Sequence, residues 1–462
     1  MSAANPTETL ASLWRLAGLP PEALAHAHLT GGDPVYPSSF AVATAAQSTI
    51  AAAALAACEL AHARGTPRQD VRVDAVHAAA ECLGWFSRDG RVPELWDKFS
   101  GLYRARDGWV RVHANFAHHR EGALRVLGLD PATAQREDAE RAMQAWDAVA
   151  FETAAADAGV VATALRSFAQ WDATDAGRAI AAQPLFTITR IGDAPPRALP
   201  LLTAQQRPLE GVRVLDLTRI LAGPVGGRAL AAYGADVMLV NAPHLPNIDA
   251  IADTSRGKRS ALVDLRSDAG RATLDSLLQE AHVFVQGYRP GALARLGYGP
   301  EAIAARRPGI VCVSLSAYGK QGPWKDRRGF DSLVQTATGF NVAEAEAAGA
   351  AAKPKPLPMQ ILDEATGYLI AFGAAAALWR QQREGGSWHV QVSLAQTGHW
   401  LRNLGRVSGG FTAKAPDLQP FLEKTASAYG ELTALRHSAQ LGRTPAGWSR
   451  SSERPGDSPP RW

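Results

Sequence analysis

Cysteine is scarce: Cys58, Cys82 and Cys312 are the only three in 462 residues, each isolated in an apolar run. An odd, unpatterned set excludes a disulfide framework and reads as reduced core thiols in a cytoplasmic protein. The chain also lacks H-E-x-x-H, a C-x-x-C pair, a Walker loop and a G-x-S-x-G elbow, which removes the commonest metal, redox, NTPase and hydrolase readings. The opening MSAANPTETL has no basic n-region and no apolar h-region, so no secretory signal is expected. Nor is there a strongly apolar run. The longest, residues 40–60, is mostly alanine and is interrupted by Thr44, Gln47, Ser48 and Thr49, which predicts a buried helix and no membrane span. No metal site is expected. His118-His119 is the one adjacent histidine pair, neighbouring helix residues point apart, and a solvated face is the reading there and for His26 and His28. Finally, no large excess of one charge exists. The net charge is +4, with Lys and Arg interleaved among acids, which suits an anionic small ligand and leaves no nucleic-acid footprint.

What is present is the composition of a globular protein, 46% apolar and 20% charged, in a chain long enough for two or three domains. The most informative stretch is GVRVLDLTRILAGPVGGRALAAYGADVMLVN, residues 211–241. An apolar strand (212–217) runs into a Gly/Pro turn containing Ala222, Gly223, Pro224, Gly226 and Gly227. A short helix and a second buried strand (236–240) follow. That order opens a nucleotide-binding α/β unit, with glycines that let a ligand approach the backbone. The dinucleotide fingerprint is incomplete, however: the glycines are not spaced G-x-G-x-x-G, and Asn241 stands where an acid would hold a ribose. Strands at 261–265, 283–286 and 310–315 alternate with helices, which predicts a largely parallel sheet covered on both faces. Arg219, Lys258, Arg259, Arg266, Arg289 and Arg295 recur beside the strand-to-helix turns, where a phosphate-rich ligand would need them.

Residues 48–79 echo residues 366–398. Each reads as an Ala-rich helix, a polar turn, an alternating strand (VRVD, VQVS) and a further helix start. Residues 103–112 read as a hairpin turning at Asp107-Gly108. Boundaries are expected near 205, after a Pro-containing linker, and near 405. They divide the chain into 1–205, 206–405 and an extended or mobile tail, 406–462. Among acids, Asp363 stands out at the start of a small-residue helix. It reads either as an N-cap accepting an orphan N–H or as a carboxylate nucleophile held beside residues small enough to admit a ligand.

Taken together, PLEGVRVLDLTRILAGP, YGADVMLV, RGKRSALVDLR, QGYRPGALARLGYG, RPGIVCVSLSAYGKQGP, GFDSLVQTATG and ILDEATGYL…GGSWHVQVSLAQ resemble the family III CoA-transferases over residues 208–396. The tail segment GELTALRHSAQLGRTPAGW resembles longer members. The resemblance implies an α/β fold: a Rossmann-like parallel-sheet CoA-binding lobe plus a second mixed α+β lobe. Residues 40–190 look like the family's second-domain half placed first, so the chain reads as permuted and partly duplicated. The family's catalytic aspartate falls on Asp363, and its CoA-contacting positions on Arg219, Ile220, Ala222, Val263, Arg266, Gly287, Tyr288 and Arg295, with Arg328 in place of a lysine. Asn241, Ala242 and Gly287 depart from the family pattern. In the first copy the position of Asp363 falls near Ala43 or Thr44, which implies one catalytic centre per chain.

The implied activity is transfer of CoA between an acyl-CoA and a small carboxylic acid through an aspartyl-CoA thioester. Asp363 would be ionised without a general base. CoA is then a substrate and no cofactor is permanently bound. The implied assembly is an interlocked homodimer, with no nucleic acid or membrane partner, and the acyl pocket is expected largely from the first 200 residues. Two alternatives stay open. One is an acyl-CoA racemase or isomerase, needing a histidine such as His282 or His399 opposite Asp363. The other is a CoA-binding subunit without catalysis.

Overall fold

The computed structural model describes residues 4–350 and 352–462. Seven strands form the central sheet, in the spatial order Lys258–Leu262, Asp236–Asn241, Arg213–Leu217, Val283–Gln286, Val311–Ser316, Ser387–Ser393 and Phe186–Gly192. The first six are parallel and the last is antiparallel. The sheet is wound outward in both directions from Arg213–Leu217. Its neighbour on one side is Asp236–Asn241 and on the other Val283–Gln286, so the crevice where ligands bind such sheets opens past the carboxyl ends of these strands. Val214, Leu215, Val237, Val283, Val285, Val311 and Val313 are all buried, the continuous apolar character of strands covered on both faces.

The strand expected at 261–265 lies three residues earlier, at Lys258–Leu262. The reason is Lys258, a charged residue that sequence pattern assigns to a loop. Here it is fully buried, donating to Asp216 Oδ2 at 2.9 Å and to the Pro224 carbonyl at 2.8 Å. Removing one partner of such a pair strands the other charge at a cost of about 3–5 kcal/mol.

Gly223, Gly226 and Gly227 also have a different purpose from the one expected. They lie inside the Ala222–Ala232 helix and admit protein neighbours, not ligand. A Cβ on Gly226 would sit 2.7 Å from the Ile370 side chain and 2.9 Å from the Gly367 carbonyl, and one on Gly367 would sit 2.7 Å from the Ala222 carbonyl. Reciprocal glycines therefore bring the Ile361–Glu384 helix hard against the turn after the first parallel strand.

On its other side that helix packs against Val42–Ala63. By length and composition either could cross a membrane, but the apolar stretch of each is buried within the protein. Alanine at half of the positions of Val42–Ala63 and in the Ala374–Ala377 run of Ile361–Glu384 allows this close approach. Each is followed by a strand and then a helix capped by the strand's last residue, Asp74 in the first segment and Ser393 in the second.

A separate core built on Tyr103, Val110, Met143 and Phe151 belongs to a small mixed lobe. Its strands are Gly101–Arg104 and Trp109–Val112, paired as the expected hairpin, with Ala162–Ala164 alongside. Packing crosses both expected boundaries. Phe186–Gly192 adds the antiparallel edge strand to the central sheet. The tail contributes Leu422–Ser427 and Gly430–Leu435, which pair with each other and then with Phe86–Arg88, and Gln440–Leu441, which pairs with Val71–Asp74. Beyond these strands it is extended yet anchored, with Trp448 beneath the Arg256 guanidinium at 3.8 Å.

Candidate active site

Asp363 occupies the first turn of the Ile361–Glu384 helix, and its side chain does not cap it. That task falls to Asp331, the first residue of the Asp331–Thr338 helix. Asp331 Oδ2 accepts the Leu362 N–H at 2.8 Å and the Asp363 N–H at 3.0 Å, while Oδ1 accepts from Gln335 Nε2 at 2.5 Å. The N-cap reading of Asp363 is thus corrected. A second carboxylate satisfies the orphan donors, and that of Asp363 makes no hydrogen bond among the described residues.

The electrostatics correct a second expectation, that Asp363 is ionised like an ordinary aspartate. Asp363 is 8% exposed, and its pKa is raised well above the usual carboxylate range, first by burial, then by Asp331 and Glu364. Asp331 itself is pushed up to about 6 by burial, against the pull of its hydrogen bonds. Behind Asp363, Glu364 is pushed up to about 8 by burial, with Arg228 Nη2 at 3.9 Å opposing the shift. Two adjoining buried carboxyls cannot easily both carry charge.

Asp363 faces a cavity of about 510 Å³. It is the only carboxylate among the residues lining it, against five arginines: Arg219, Arg266, Arg289, Arg327 and Arg328. The floor is the turn after Arg213–Leu217, where Ile220 adopts φ +79°. A β-branched residue rarely enters that left-handed region, and such strain is concentrated at ligand sites. Gly287 and Tyr288 approach from the end of the neighbouring strand, and Val263 from the third. From the first 200 residues come only Phe116, His118 and His119, so most of the wall is built by 217–394.

The structure therefore brings Arg219, Ile220, Ala222, Val263, Arg266, Gly287, Tyr288, Arg328 and Asp363 to one cavity, together with Asn241 and Ala242. Arg295 is not among its lining residues. Lys258 is consumed by Asp216, and Arg259 pairs with Asp236 at 2.5 Å, at the opposite end of the strands, so neither cation is at the ligand edge. Arg266 is held back by Asp264 at 2.7 Å. Of the histidines, His282 lies at the opposite edge of the sheet and His399 is not in the cavity wall.

The pair read as a solvated face instead contributes to the site. His118 is exposed, but His119 is 5% exposed, edge-on to Phe116 and Phe330. Its Nε2 lies 3.3 Å from Arg328 Nη1, and because a guanidinium only donates, Nε2 is the acceptor and the ring proton sits on Nδ1. Burial, reinforced by His118, His113, Arg328 and Arg219, pushes the imidazolium down to about 3. His119 is consequently neutral at physiological pH and a feeble base. No local pattern marked it, because its burial depends on Phe330, far along the chain.

Residues 209–416 match the family model described as CoA-transferase family III. The chain is 29% identical over 313 residues to an acyl-CoA transferase of Gibberella moniliformis, covering 64% of this chain and 55% of that protein. It is 34% identical over 202 residues to a probable fatty acyl-CoA transferase of Mycobacterium tuberculosis, covering 41% and 50%. With a formyl-CoA:oxalate CoA-transferase of Streptomyces coelicolor it shares 30% over 211 residues, covering 43% and 50%. The chain thus spans about half the length of the curated relatives it matches.

Proposed function

We propose that this chain is a family III CoA-transferase that moves CoA between an acyl-CoA and a carboxylic acid, with Asp363 as nucleophile. The observation that carries the reading is the single, unbonded carboxylate in a largely apolar cavity whose wall also holds five arginines. Arg219, Arg289, Arg327 and Arg328 would meet the phosphates of CoA, whose charge scattered surface lysines would not hold in one place. Arg295, outside the wall, would act only from the rim.

In the first step the Asp363 carboxylate attacks the thioester carbonyl and CoA leaves as thiolate, giving a mixed anhydride. The thiolate then attacks the Asp363 carbonyl and expels the first acid, leaving an aspartyl-CoA thioester. The incoming carboxylate attacks that thioester, and the same two steps in reverse deliver the new acyl-CoA and free Asp363. Burial makes the ionised Asp363 poorly solvated and hence a strong nucleophile, at the cost of the raised pKa.

An acyl-CoA racemase or isomerase is the second reading, favoured by the one observation that His119 shares the cavity with Asp363. An imidazolium near 3 is far from the neutral range a general base requires, which weighs against it. A CoA-binding subunit without catalysis is the third. Incubation with a panel of acyl-CoA donors and small carboxylic acids tests all three. A new acyl-CoA supports transfer; α-deuterium exchange without transfer replaces it with the racemase; CoA binding with neither leaves the silent subunit. A cytoplasmic homodimer is carried forward with this proposal. Sedimentation at micromolar concentration checks the assembly, and since residues 116–119 of the same chain already wall the cavity, a monomer would leave the site intact.

A further inference from the structure

A second cavity, of about 650 Å³, opens at the amino ends of the parallel strands, the sheet edge opposite Asp363. Three distant stretches build it: the linker around 197–213, the sheet edge with Asp236, Gly257 and His282, and the tail at Ser449 and Arg450. It is a held structure. Buried Arg64 fixes the linker by donating to the carbonyls of Pro200 at 2.9 Å, Pro208 at 3.2 Å and Glu210 at 2.8 Å. Arg207 ties linker to tail through the Gly447 carbonyl at 2.7 Å, and the Arg450 carbonyl accepts the Gly257 N–H at 3.0 Å.

The donors left over point to an anion. His282 Nδ1 lies 3.0 Å from the Arg213 backbone N, which can only donate, so Nδ1 accepts and the neutral ring carries its proton on Nε2. That Nε2–H has no partner among the described residues. The ring is held neutral by burial and by Arg197, Arg213 and Arg64, which push it down to about 4. The side chains of Arg197 and Arg450 likewise have no hydrogen bond or ion pair among the described residues. The two acids in the wall are already engaged, Asp236 by Arg259 at 2.5 Å and Glu210 by Gln206 at 2.9 Å.

We propose that this cavity binds a phosphate monoester, its oxygens taken by Arg197, Arg450 and His282 Nε2–H. Three donors from three separate stretches of the chain match the three terminal oxygens of a dianionic phosphate, whereas a carboxylate offers two. Two free guanidiniums balance its charge. The remaining volume, bounded by Leu199, Pro200 and Ala235, accommodates an organic group of nucleoside size.

Titration calorimetry of the full chain with AMP, inorganic phosphate and citrate, in saturating dephospho-CoA, which carries no phosphate monoester, to keep the first cavity filled, tests this. AMP is expected to bind more tightly than phosphate or citrate. Arg197→Ala and Arg450→Ala, both at exposed positions, should each weaken AMP about tenfold, while Asp363→Asn should leave it unchanged. AMP binding that disappears with dephospho-CoA present, that survives both arginine variants, or that citrate matches would overturn the proposal. None of those results bears on transfer by Asp363.

Discussion

The two long buried helices are capped alike at their starts and carry different side chains at the third position. At the start of Ile361–Glu384, Asp331 accepts the N–H groups of Leu362 and Asp363. At the start of Val42–Ala63, Asp33 accepts those of Ala43 at 2.9 Å and Thr44 at 2.8 Å. Thr44 therefore occupies the place of Asp363. The run from helix start to the next cap, Val42 to Asp74 and Ile361 to Ser393, is also the same length in both. The backbone device is present in both segments, but only one carries a carboxylate that faces a cavity with arginines in its wall. The capping is structural and separable from the chemistry.

That contrast is broken most severely at the proposed nucleophile. Asp363→Asn should lower CoA transfer by about a thousandfold or more, while Thr44→Val leaves kcat within about twofold. Equal effects in a transfer assay would erase the distinction. Next, Thr44→Asp rebuilds the second carboxylate without its cavity. A buried like-charge pair with Asp33 should cost about 3 kcal/mol in urea unfolding and confer no second reactive site.

A smaller effect separates the two caps. Asp33→Asn and Asp331→Asn should each cost about 1–2 kcal/mol of stability. Only Asp331→Asn should also move activity. It removes a negative neighbour that raises Asp363, so the acid limb of the pH–rate profile shifts to lower pH. The last effect lies behind the site. Glu364 is pushed up to about 8 in the folded protein, so its contribution to stability is full below the ordinary glutamate range and is lost as pH rises toward 8. Glu364→Gln should flatten that decline in thermal unfolding between pH 5 and 8; an unchanged slope would place the titration elsewhere.

Much of the sheet was legible because its strands are buried on both faces; Val283–Gln286 lies where the apolar run puts it. Lys258 was not, since a lysine signals solvent unless Asp216 beneath it is known. Asp363 could be located from its small-residue helix and from the family resemblance. Asp331 could not be recognised as its cap, because nothing local links the two positions. The tail's Pro, Ser and Arg composition concealed Trp448, whose place depends on Arg256 and Arg228. In each case the missing information was a contact between distant parts of the chain.

The central claim is that one carboxylate per chain, that of Asp363, becomes covalently loaded with CoA. Intact mass after incubation with an acyl-CoA panel tests it directly. One CoA-sized, hydroxylamine-sensitive adduct on wild type, absent from Asp363→Asn, is the predicted result. An adduct that persists in Asp363→Asn, or its absence from a wild type that turns over acyl-CoA, would contradict the account.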